Sequence, residues 1–258
     1  MILSDKTILV TGANRGIGRA IAEELAHHPV NLLLGMRNLE SYVPIENSYA
    51  RNIKPIKLDL SSKESIDQSI GSIKNDIKDL DILINNAGQF VAGPLQKQNL
   101  DEIYSLFQVN IVGLIHLTHS LLPILLARKQ AKIVNNASIA GYAYLPDNST
   151  YSATKAAVVA FSESLRRELE NTRVGVLHLV TPGVDTEMMK KVENTFSRNN
   201  KPIDLKKISP EKWAKKVVHA IESNKNILSP SGSTELLKII SHGPPLLVDL
   251  MSRKMFKR

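Results

Sequence analysis

The sequence of 258 residues contains no cysteine, which excludes disulfide bonds, thiolate catalysis and thiolate metal sites. Aromatic residues are scarce at 5%, and only one of them is tryptophan. No uninterrupted apolar run approaches the roughly 18 residues of a membrane-spanning helix. The N-terminal segment also lacks the basic, apolar and cleavage regions of a secretory signal. We therefore expect a cytoplasmic protein, and its length suits one α/β domain.

Positive charge exceeds negative charge by 8, and the excess lies near the C-terminus. Residues 187–258 contain 15 Lys and Arg against 7 Asp and Glu, a difference of 8. Interleaved aromatic residues and a recognisable nucleic-acid module are lacking there, so we expect no nucleic-acid partner. The charges favour a solvated basic face or, second, attraction to an acidic membrane surface.

The C-terminal tail, residues about 244–258, is predicted to form a short amphipathic helix with a basic end. Its apolar face would be formed by Leu246, Leu247, Leu250, Met251 and Met255. Two interpretations stay open. The tail packs on the domain or a partner subunit, or it makes a peripheral membrane contact.

Strand-like apolar runs alternate with helix-length segments, which indicates a single domain over residues 1–258. The predicted fold is an α/β, Rossmann-like doubly wound parallel sheet with helices on both faces. Strands are predicted at 7–10, 30–34, 53–58, 82–84, 132–135 and 175–180. Helices are predicted up to residue 26, from a capping box at Ser61 and Glu64, and over 100–126, about 151–171 and 210–222. The polar and basic segment 184–210 is predicted to be irregular, as a substrate lid or a mobile excursion.

A glycine-rich turn runs from Thr11 to Gly18 between the first predicted strand and the first helix. Its spacing is G-x-x-x-G-x-G. Glycines let the backbone turn tightly and approach a pyrophosphate, which free amides at a helix N-terminus stabilise. At this position the motif predicts a dinucleotide site.

Tyr151 and Lys155 lie four residues apart in the segment Y-S-A-T-K. On a helix this spacing places both side chains on the same face. Because a nearby ammonium favours a phenolate, we expect a lowered pKa for Tyr151. Such a tyrosine could exchange a proton with a substrate oxygen near neutral pH.

These motifs, together with Asn85-Asn86-Ala87-Gly88, Ser138 and Pro182-Gly183, resemble the short-chain dehydrogenase/reductase family over about residues 5–190. The resemblance implies that Tyr151 is the general acid/base and that Lys155 lowers its pKa and holds the nicotinamide ribose. It also implies that Ser138 binds the substrate oxygen and that Asn110 anchors a water in a proton relay.

The resemblance further implies a nicotinamide cofactor, and we expect no metal site. NAD-preferring members usually carry an acid at the end of the second strand, whereas this chain has Met36-Arg37 there. Arg37 and Arg15 therefore favour NADP(H) over NAD(H). The segment P-G-V-D-T is one residue shorter than the family's P-G-x-x-x-T. The expected cofactor contacts are Gly12, Asn14, Arg15, Gly16, Ile17, Gly18, Arg37, Asp59, Leu60, Asn86, Ala87, Gly88, Tyr151, Lys155, Pro182, Gly183, Val184 and Thr186.

The expected activity is an NADP(H)-dependent interconversion of a small-molecule carbonyl compound and its alcohol. Ser138, Tyr144, Tyr151 and Met188 are the predicted substrate contacts, and their apolar neighbours favour an apolar ketone or aldehyde. A dehydratase or epimerase on the same fold, and a non-catalytic cofactor sensor or scaffold, are the alternatives. The resemblance also implies a homodimer or homotetramer, associated through the long helix and the Tyr151 helix.

Overall fold

The computed structural model describes residues 1–196 and 207–230. In this part of the chain, seven parallel strands form one sheet in the order β3-β2-β1-β4-β5-β6-β7. The order reverses between β1 and β4, which makes their carboxyl ends the topological switch point where such sheets bind ligands. The strands are β1 Thr7–Thr11, β2 Asn31–Met36, β3 Asn52–Lys57, β4 Leu80–Asn85, β5 Ala131–Asn136, β6 Val174–Leu179 and β7 Ile227–Leu228.

Helices cover both faces of the sheet, so the predicted Rossmann-like fold is confirmed. They are α1 Gly16–Leu25, α2 Lys63–Ile77, α3 Leu100–Phe107, α4 Gly113–Leu126, α5 Ser149–Glu168, α6 Glu187–Phe196 and α7 Pro210–Glu222. Two hydrophobic cores lie on the two faces of the sheet. Because side chains alternate along a strand, neighbouring residues of one strand pack into different cores. Ile8 and Val10 pack on the side of α1 and α7, where Trp213 is fully buried. Leu9 packs on the side of α2, α4 and α5.

The long helix predicted over residues 100–126 is present but is not uniformly α-helical. A π-helical turn, Gln108–Val112, separates α3 from α4, and the Gly113 amide bonds back to the Gln108 carbonyl. By length and composition, Leu100–Leu126 could cross a membrane. In this fold its apolar residues also serve the core, because Leu114, Leu117 and Leu121 are buried. Such burial is the usual reason for a continuously apolar helix in an α/β domain.

The capping box at Ser61 and Glu64 was the wrong prediction for the start of α2. The N-cap is Ser62, whose hydroxyl accepts a hydrogen bond from the Ser65 amide at 3.1 Å, and the Ser65 hydroxyl accepts one from the Ser62 amide. The Ser61 amide instead donates to the Asp59 carboxylate at 3.0 Å. That bond holds Ser61 in the preceding loop, so the N-cap lies one residue later than predicted and α2 begins at Lys63.

The prediction of an irregular segment over 184–210 was also wrong in part, because α6 occupies Glu187–Phe196. A parallel bridge between Val184 and Ile208 closes the base of this excursion. Residues 197–206 of the predicted lid, and the tail at about 244–258, lie outside the described residues. The short β7 extends the six predicted strands by pairing with β6.

Candidate active site

A cavity of about 1420 Å³ lies at the carboxyl edge of the sheet, over the switch point between β1 and β4. Loops after β1, β2, β3, β4, β5 and β6 form its walls, and α5 and α6 complete them. Seventeen of the eighteen predicted cofactor residues line it, and Gly18 is the one that does not. They are Gly12, Asn14, Arg15, Gly16, Ile17, Arg37, Asp59, Leu60, Asn86, Ala87, Gly88, Tyr151, Lys155, Pro182, Gly183, Val184 and Thr186.

The glycine-rich turn has the backbone that its sequence predicts. Gly12 and Gly16 have φ of +65° and +56°, in the left-handed region that favours glycine. Gly18 lies behind the cavity wall, where a Cβ would stand 2.2 Å from the Gly12 carbonyl oxygen. Gly18 therefore shapes the turn through close packing, and the turn leads straight into α1.

The turn fits the pyrophosphate of a dinucleotide. α1 begins at Gly16, and no side chain caps its N-terminus. Its first amides and the positive end of its dipole therefore face the cavity without a competing side-chain acceptor. The cavity is also larger than the roughly 300–1,000 Å³ of an ordinary small-molecule pocket, as a cofactor beside a substrate requires. The backbone amides at the start of α1 and the volume of the cavity therefore both suit a dinucleotide cofactor.

Polar side chains surround the end of the cavity near β2. Arg15 and Arg37 both line it, as predicted. Asn38 and Ser41 line it too, although the sequence had not singled them out. Ser41 accepts a hydrogen bond from the Asn14 side chain at 3.1 Å, which ties the glycine-rich turn to the loop after β2. The signal available in the sequence was the position of Asn38 and Ser41 within the four residues that follow Arg37.

Arg15 has a partner that the sequence did not indicate. Its guanidinium lies 2.8 Å from the Glu187 carboxylate at the first residue of α6, and both side chains are 73% exposed. Thr186 also lines the cavity, and its methyl carbon would lie 3.4 Å from a Cβ on Gly16. The start of α6 therefore faces the glycine-rich turn across the cavity mouth, despite the shortened P-G-V-D-T segment.

Ser138, Tyr151 and Lys155 all line the cavity, and the Tyr151 phenol is hydrogen-bonded to Ser138. Ser138 precedes a 3-10 turn, Ile139–Gly141, and its hydroxyl accepts a bond from the Ala140 amide at 3.1 Å. That turn approaches α5 closely, because a Cβ on Gly141 would lie 2.8 Å from the Lys155 carbonyl oxygen. The Tyr151 ring packs edge-on against Phe90, with centroids 5.0 Å apart.

The prediction of a lowered pKa for Tyr151 was wrong for this arrangement. Burial raises the pKa of the Tyr151 phenol to about 12, and the hydrogen bond with Ser138 opposes this only in part. The ammonium of Lys155 lies 5.8 Å from the ring centre and donates to the Asn136 carbonyl at 2.9 Å. Burial lowers the pKa of Lys155 to about 8. Desolvation is therefore the main cause of both pKa shifts.

Asn110 lies in the π-helical turn and is buried beside the cavity, but it does not line it. Its side-chain oxygen accepts from the Gln89 amide at 2.7 Å, and its amide donates to the Gln89 carbonyl at 3.0 Å. The same amide also reaches the Thr154 hydroxyl at 3.2 Å. The observed bonds hold the loop after β4 against α5. The water relay assigned to Asn110 by resemblance stays a prediction.

Several apolar and aromatic side chains also line the cavity. Tyr144 and Met188, two predicted substrate contacts, line it and are 52% and 37% exposed. Tyr142 also lines it, but its buried hydroxyl bonds the His178 ring at 3.0 Å and faces away from open space. Val91, Leu145, Met189, Val192 and Phe196 extend the apolar wall, with Lys191 beside them on α6.

Two further polar residues of the wall, Asn136 and Thr181, were missed in the sequence. They end or follow β5 and β6, and both are buried. The Thr181 hydroxyl donates to the Asn136 side chain at 2.5 Å. A polar residue at the carboxyl end of a predicted strand was the only available signal, and the run Asn135-Asn136 contains it.

Residues 6–196 match the protein family described as short chain dehydrogenase. An uncharacterised oxidoreductase of Staphylococcus aureus is 33% identical over 227 residues, which cover 88% of this chain and 95% of that protein. An NADP-dependent 3-hydroxy acid dehydrogenase of Schizosaccharomyces pombe is 32% identical over 88% of this chain and 90% of its own length.

Solved structures show the same fold over nearly the whole chain. A short chain dehydrogenase from Burkholderia cenocepacia, in complex with NADP, superposes with a TM-score of 0.80 at 25% identity. The match covers 98% of this chain and 99% of that one. A short-chain dehydrogenase from Streptomyces avermitilis has a TM-score of 0.78 at 26% identity, covering 98% and 97% of the two chains.

Proposed function

The chain belongs to the short-chain dehydrogenase/reductase family and is an oxidoreductase of that family, and we propose that it reduces an apolar ketone or aldehyde with NADPH. The observation that carries this proposal is the meeting of Ser138, Tyr151 and Lys155 in one cavity with the glycine-rich turn. When bound, the nicotinamide cofactor supplies the hydride.

The protein supplies the proton and the electrostatic stabilisation. Tyr151, with its pKa raised to about 12 by burial, holds its proton at neutral pH and can donate it to the carbonyl oxygen. The Ser138 hydroxyl borders the same space and can hydrogen-bond that oxygen as negative charge develops. Lys155 stabilises the phenolate left on Tyr151, because opposite charges attract strongly in a buried site. A protonated phenol suits reduction better than oxidation at neutral pH.

The preference for NADPH rests on the charges near β2. Arg15 and Arg37 line this end of the cavity, and β2 ends without the acid that would pair with a ribose diol. A 2′-phosphate can form charge-assisted hydrogen bonds with such guanidinium groups. The relative from S. pombe is named as NADP-dependent, and the B. cenocepacia enzyme was solved with NADP.

A second substrate class, the 3-hydroxy acids and their oxo forms, is favoured by one specific residue. Lys191 on α6 lines the cavity beside the apolar residues of the same helix and could pair with a carboxylate. The S. pombe relative acts, by its name, on a 3-hydroxy acid. Lys191 is exposed at the rim, so the apolar wall favours the uncharged carbonyl compound as the first candidate.

A homo-oligomer is part of the same proposal. Tyr104, Val112 and Ile115 form an exposed apolar row on the outer side of α3, the π-helical turn and α4. Apolar residues concentrated on one exposed surface are typical of subunit contacts. Light scattering on the purified protein would give the mass, and a monomer at micromolar concentration would contradict this part.

The test of the proposed reaction compares the wild type with Tyr151→Phe. Ketones, aldehydes and 3-oxo acids are supplied with NADPH or NADH, and absorbance of the reduced nicotinamide is followed. We expect faster turnover with NADPH, and a loss of roughly 10²–10⁴-fold in kcat for the variant, the usual contribution of a general acid. Binding of NADPH by the variant, measured by calorimetry, should stay close to that of the wild type.

The same assay separates the alternatives. A dehydratase or epimerase would change the substrate without steady consumption of NADPH, and a cofactor sensor would bind NADPH without turning over any compound of the panel. Full activity of Tyr151→Phe would show that the proposed proton transfer is wrong.

A further inference from the structure

Asn136 occupies a central place in the floor of the cavity. It ends β5, two residues before Ser138, and is 8% exposed. Its side chain lies between the loops after β4 and β6, the two loops expected to contact the cofactor. Neither the glycine-rich turn nor the Ser138, Tyr151 and Lys155 set includes it.

Both polar atoms of the Asn136 side chain are engaged. Its amide donates to the Asn86 side-chain oxygen at 2.9 Å, and its oxygen accepts from the Thr181 hydroxyl at 2.5 Å. The Asn86 amide in turn donates to the Thr11 carbonyl at 3.0 Å. One chain of hydrogen bonds therefore joins the carboxyl ends of β1, β4, β5 and β6 beneath the cavity.

The backbone of Asn136 reaches the reacting centre directly. Its carbonyl accepts a 2.9 Å hydrogen bond from the Lys155 ammonium, which is almost fully buried. A carbonyl acceptor favours the charged form of a buried lysine. Because both neighbours hold the Asn136 side chain, its carbonyl cannot turn away from Lys155 without breaking those bonds.

We propose that Asn136 is a positioning residue, which holds the Lys155 ammonium beside Tyr151 through its carbonyl and ties that ammonium to the cofactor floor through its side chain. This inference rests on the proposed reduction, in which Lys155 stabilises the Tyr151 phenolate. It assigns Asn136 no contact with the reacting atoms. Its effect passes through Lys155.

The neighbouring residue offers a matched control. Asn135 is fully buried on the same strand, but side chains alternate along a strand. The Asn135 side chain accepts from the Asn85 amide at 2.9 Å and donates to the Ser162 hydroxyl at 2.9 Å. Replacing either asparagine removes a buried amide, but only at Asn136 does the same residue also accept from the Lys155 ammonium.

The experiment compares Asn136→Leu with Asn135→Leu in the full chain. We measure urea unfolding, NADPH affinity against pH by calorimetry, and kcat, KM and the pH profile of kcat. For Asn136→Leu we expect kcat to fall by on the order of 10²-fold, as for a misplacement of about 1 Å. The substrate KM should stay within about threefold, because a positioning effect acts on the transition state.

The pH dependence distinguishes positioning from a general loss of stability. In Asn136→Leu the midpoints of the kcat and NADPH-affinity profiles should move to lower pH, because an ammonium that has lost a fixed acceptor releases its proton more easily. Asn135→Leu should lose stability while both midpoints stay at their wild-type values. Wild-type kcat and midpoints in a folded Asn136→Leu protein would overturn the inference, as would equal shifts in both variants.

A second pair of variants, at Thr181, tests the same inference if Asn136→Leu fails to fold. Thr181→Val removes the hydroxyl that holds the Asn136 side chain and keeps its shape, whereas Thr181→Ser keeps the hydroxyl. Lower midpoints in Thr181→Val, restored in Thr181→Ser, support the inference, and wild-type midpoints in both overturn it. If the wild type reduces no carbonyl compound, the proposed reaction fails, but the NADPH-affinity profiles still decide the positioning role.

Discussion

The ion pair between Arg15 and Glu187 leads to a prediction about cofactor choice. The pair joins the glycine-rich turn to the first residue of α6 at 2.8 Å. If Arg15 binds the 2′-phosphate of NADPH, Glu187 competes for the same guanidinium. Glu187→Gln should therefore strengthen NADPH binding, although it removes a salt bridge.

The size of this effect follows from the exposure of the pair. Both side chains are 73% exposed, and exposed pairs contribute about 0.2–1 kcal/mol. In Glu187→Gln, where Arg15 no longer has this competing partner, the Kd for NADPH should fall by up to about fivefold. NADH has no 2′-phosphate, so its Kd should hardly change.

Calorimetric titration of NADPH and NADH at low and high salt measures the effect. The gain for NADPH should shrink at high salt, because salt screens exposed charges. Arg15→Ala is the matched control: it should weaken NADPH binding, and adding Glu187→Gln to it should bring no further gain. Equal improvement for both cofactors, or weaker NADPH binding in Glu187→Gln, would refute the reasoning.

Two predictions concern the scaffold. Lys132 is fully buried, donates to the Asn224 side chain at 2.7 Å, and has a pKa lowered by burial from 10.5 to about 8. The free-energy cost of burying the Lys132 charge is complete below pH 8 and disappears as pH rises through 10.5. Between pH 7 and 10 the unfolding free energy of the wild type should therefore rise by about 1–3 kcal/mol relative to that of Lys132→Met. The same pH dependence of urea unfolding in both proteins would contradict this prediction. Gly18→Ala should abolish NADPH binding, because its Cβ would stand 2.2 Å from the Gly12 carbonyl oxygen. Gly71→Ala, with open space around its Cβ, should bind NADPH normally and gain about 0.5–1 kcal/mol in unfolding free energy.

The fold was predictable because its strands and helices are long enough to show their periods. β7 has two residues, Ile227–Leu228, and is too short to show any alternation. α6 lies in the segment 184–210, which was predicted to be irregular because that segment is polar and basic overall. Its few apolar residues, among them Met188, Met189 and Val192, nevertheless occur at helical spacing and face the cavity. The apolar signal was present but sparse.

Sequence motifs were enough to identify residues of the candidate site. They were not enough to predict chemical properties that depend on burial in the folded protein. Tyr151 and Lys155 were found from their spacing. The predicted direction of the pKa shift of Tyr151 was wrong, because a spacing of four residues does not show how strongly the surrounding fold desolvates the phenol. The side-chain partners of Asn136 lie in the loops after β4 and β6, and hydrogen bonds between residues 45 or more positions apart leave no local pattern.

The π-helical turn at Gln108–Val112 has a consequence for how this chain could vary. A π turn holds about one residue more than an α turn, so the extra residue is absorbed locally and α3 and α4 keep nearly the phase of one continuous helix. Deleting one residue there should restore regular α winding and leave Tyr104 and Val112 on the same side of the helix. The widened turn that carries Asn110 to the Gln89 backbone would be lost. A homologous chain without this residue should therefore keep the packing of α3 on α4 but lose the bonds by which Asn110 holds the loop after β4.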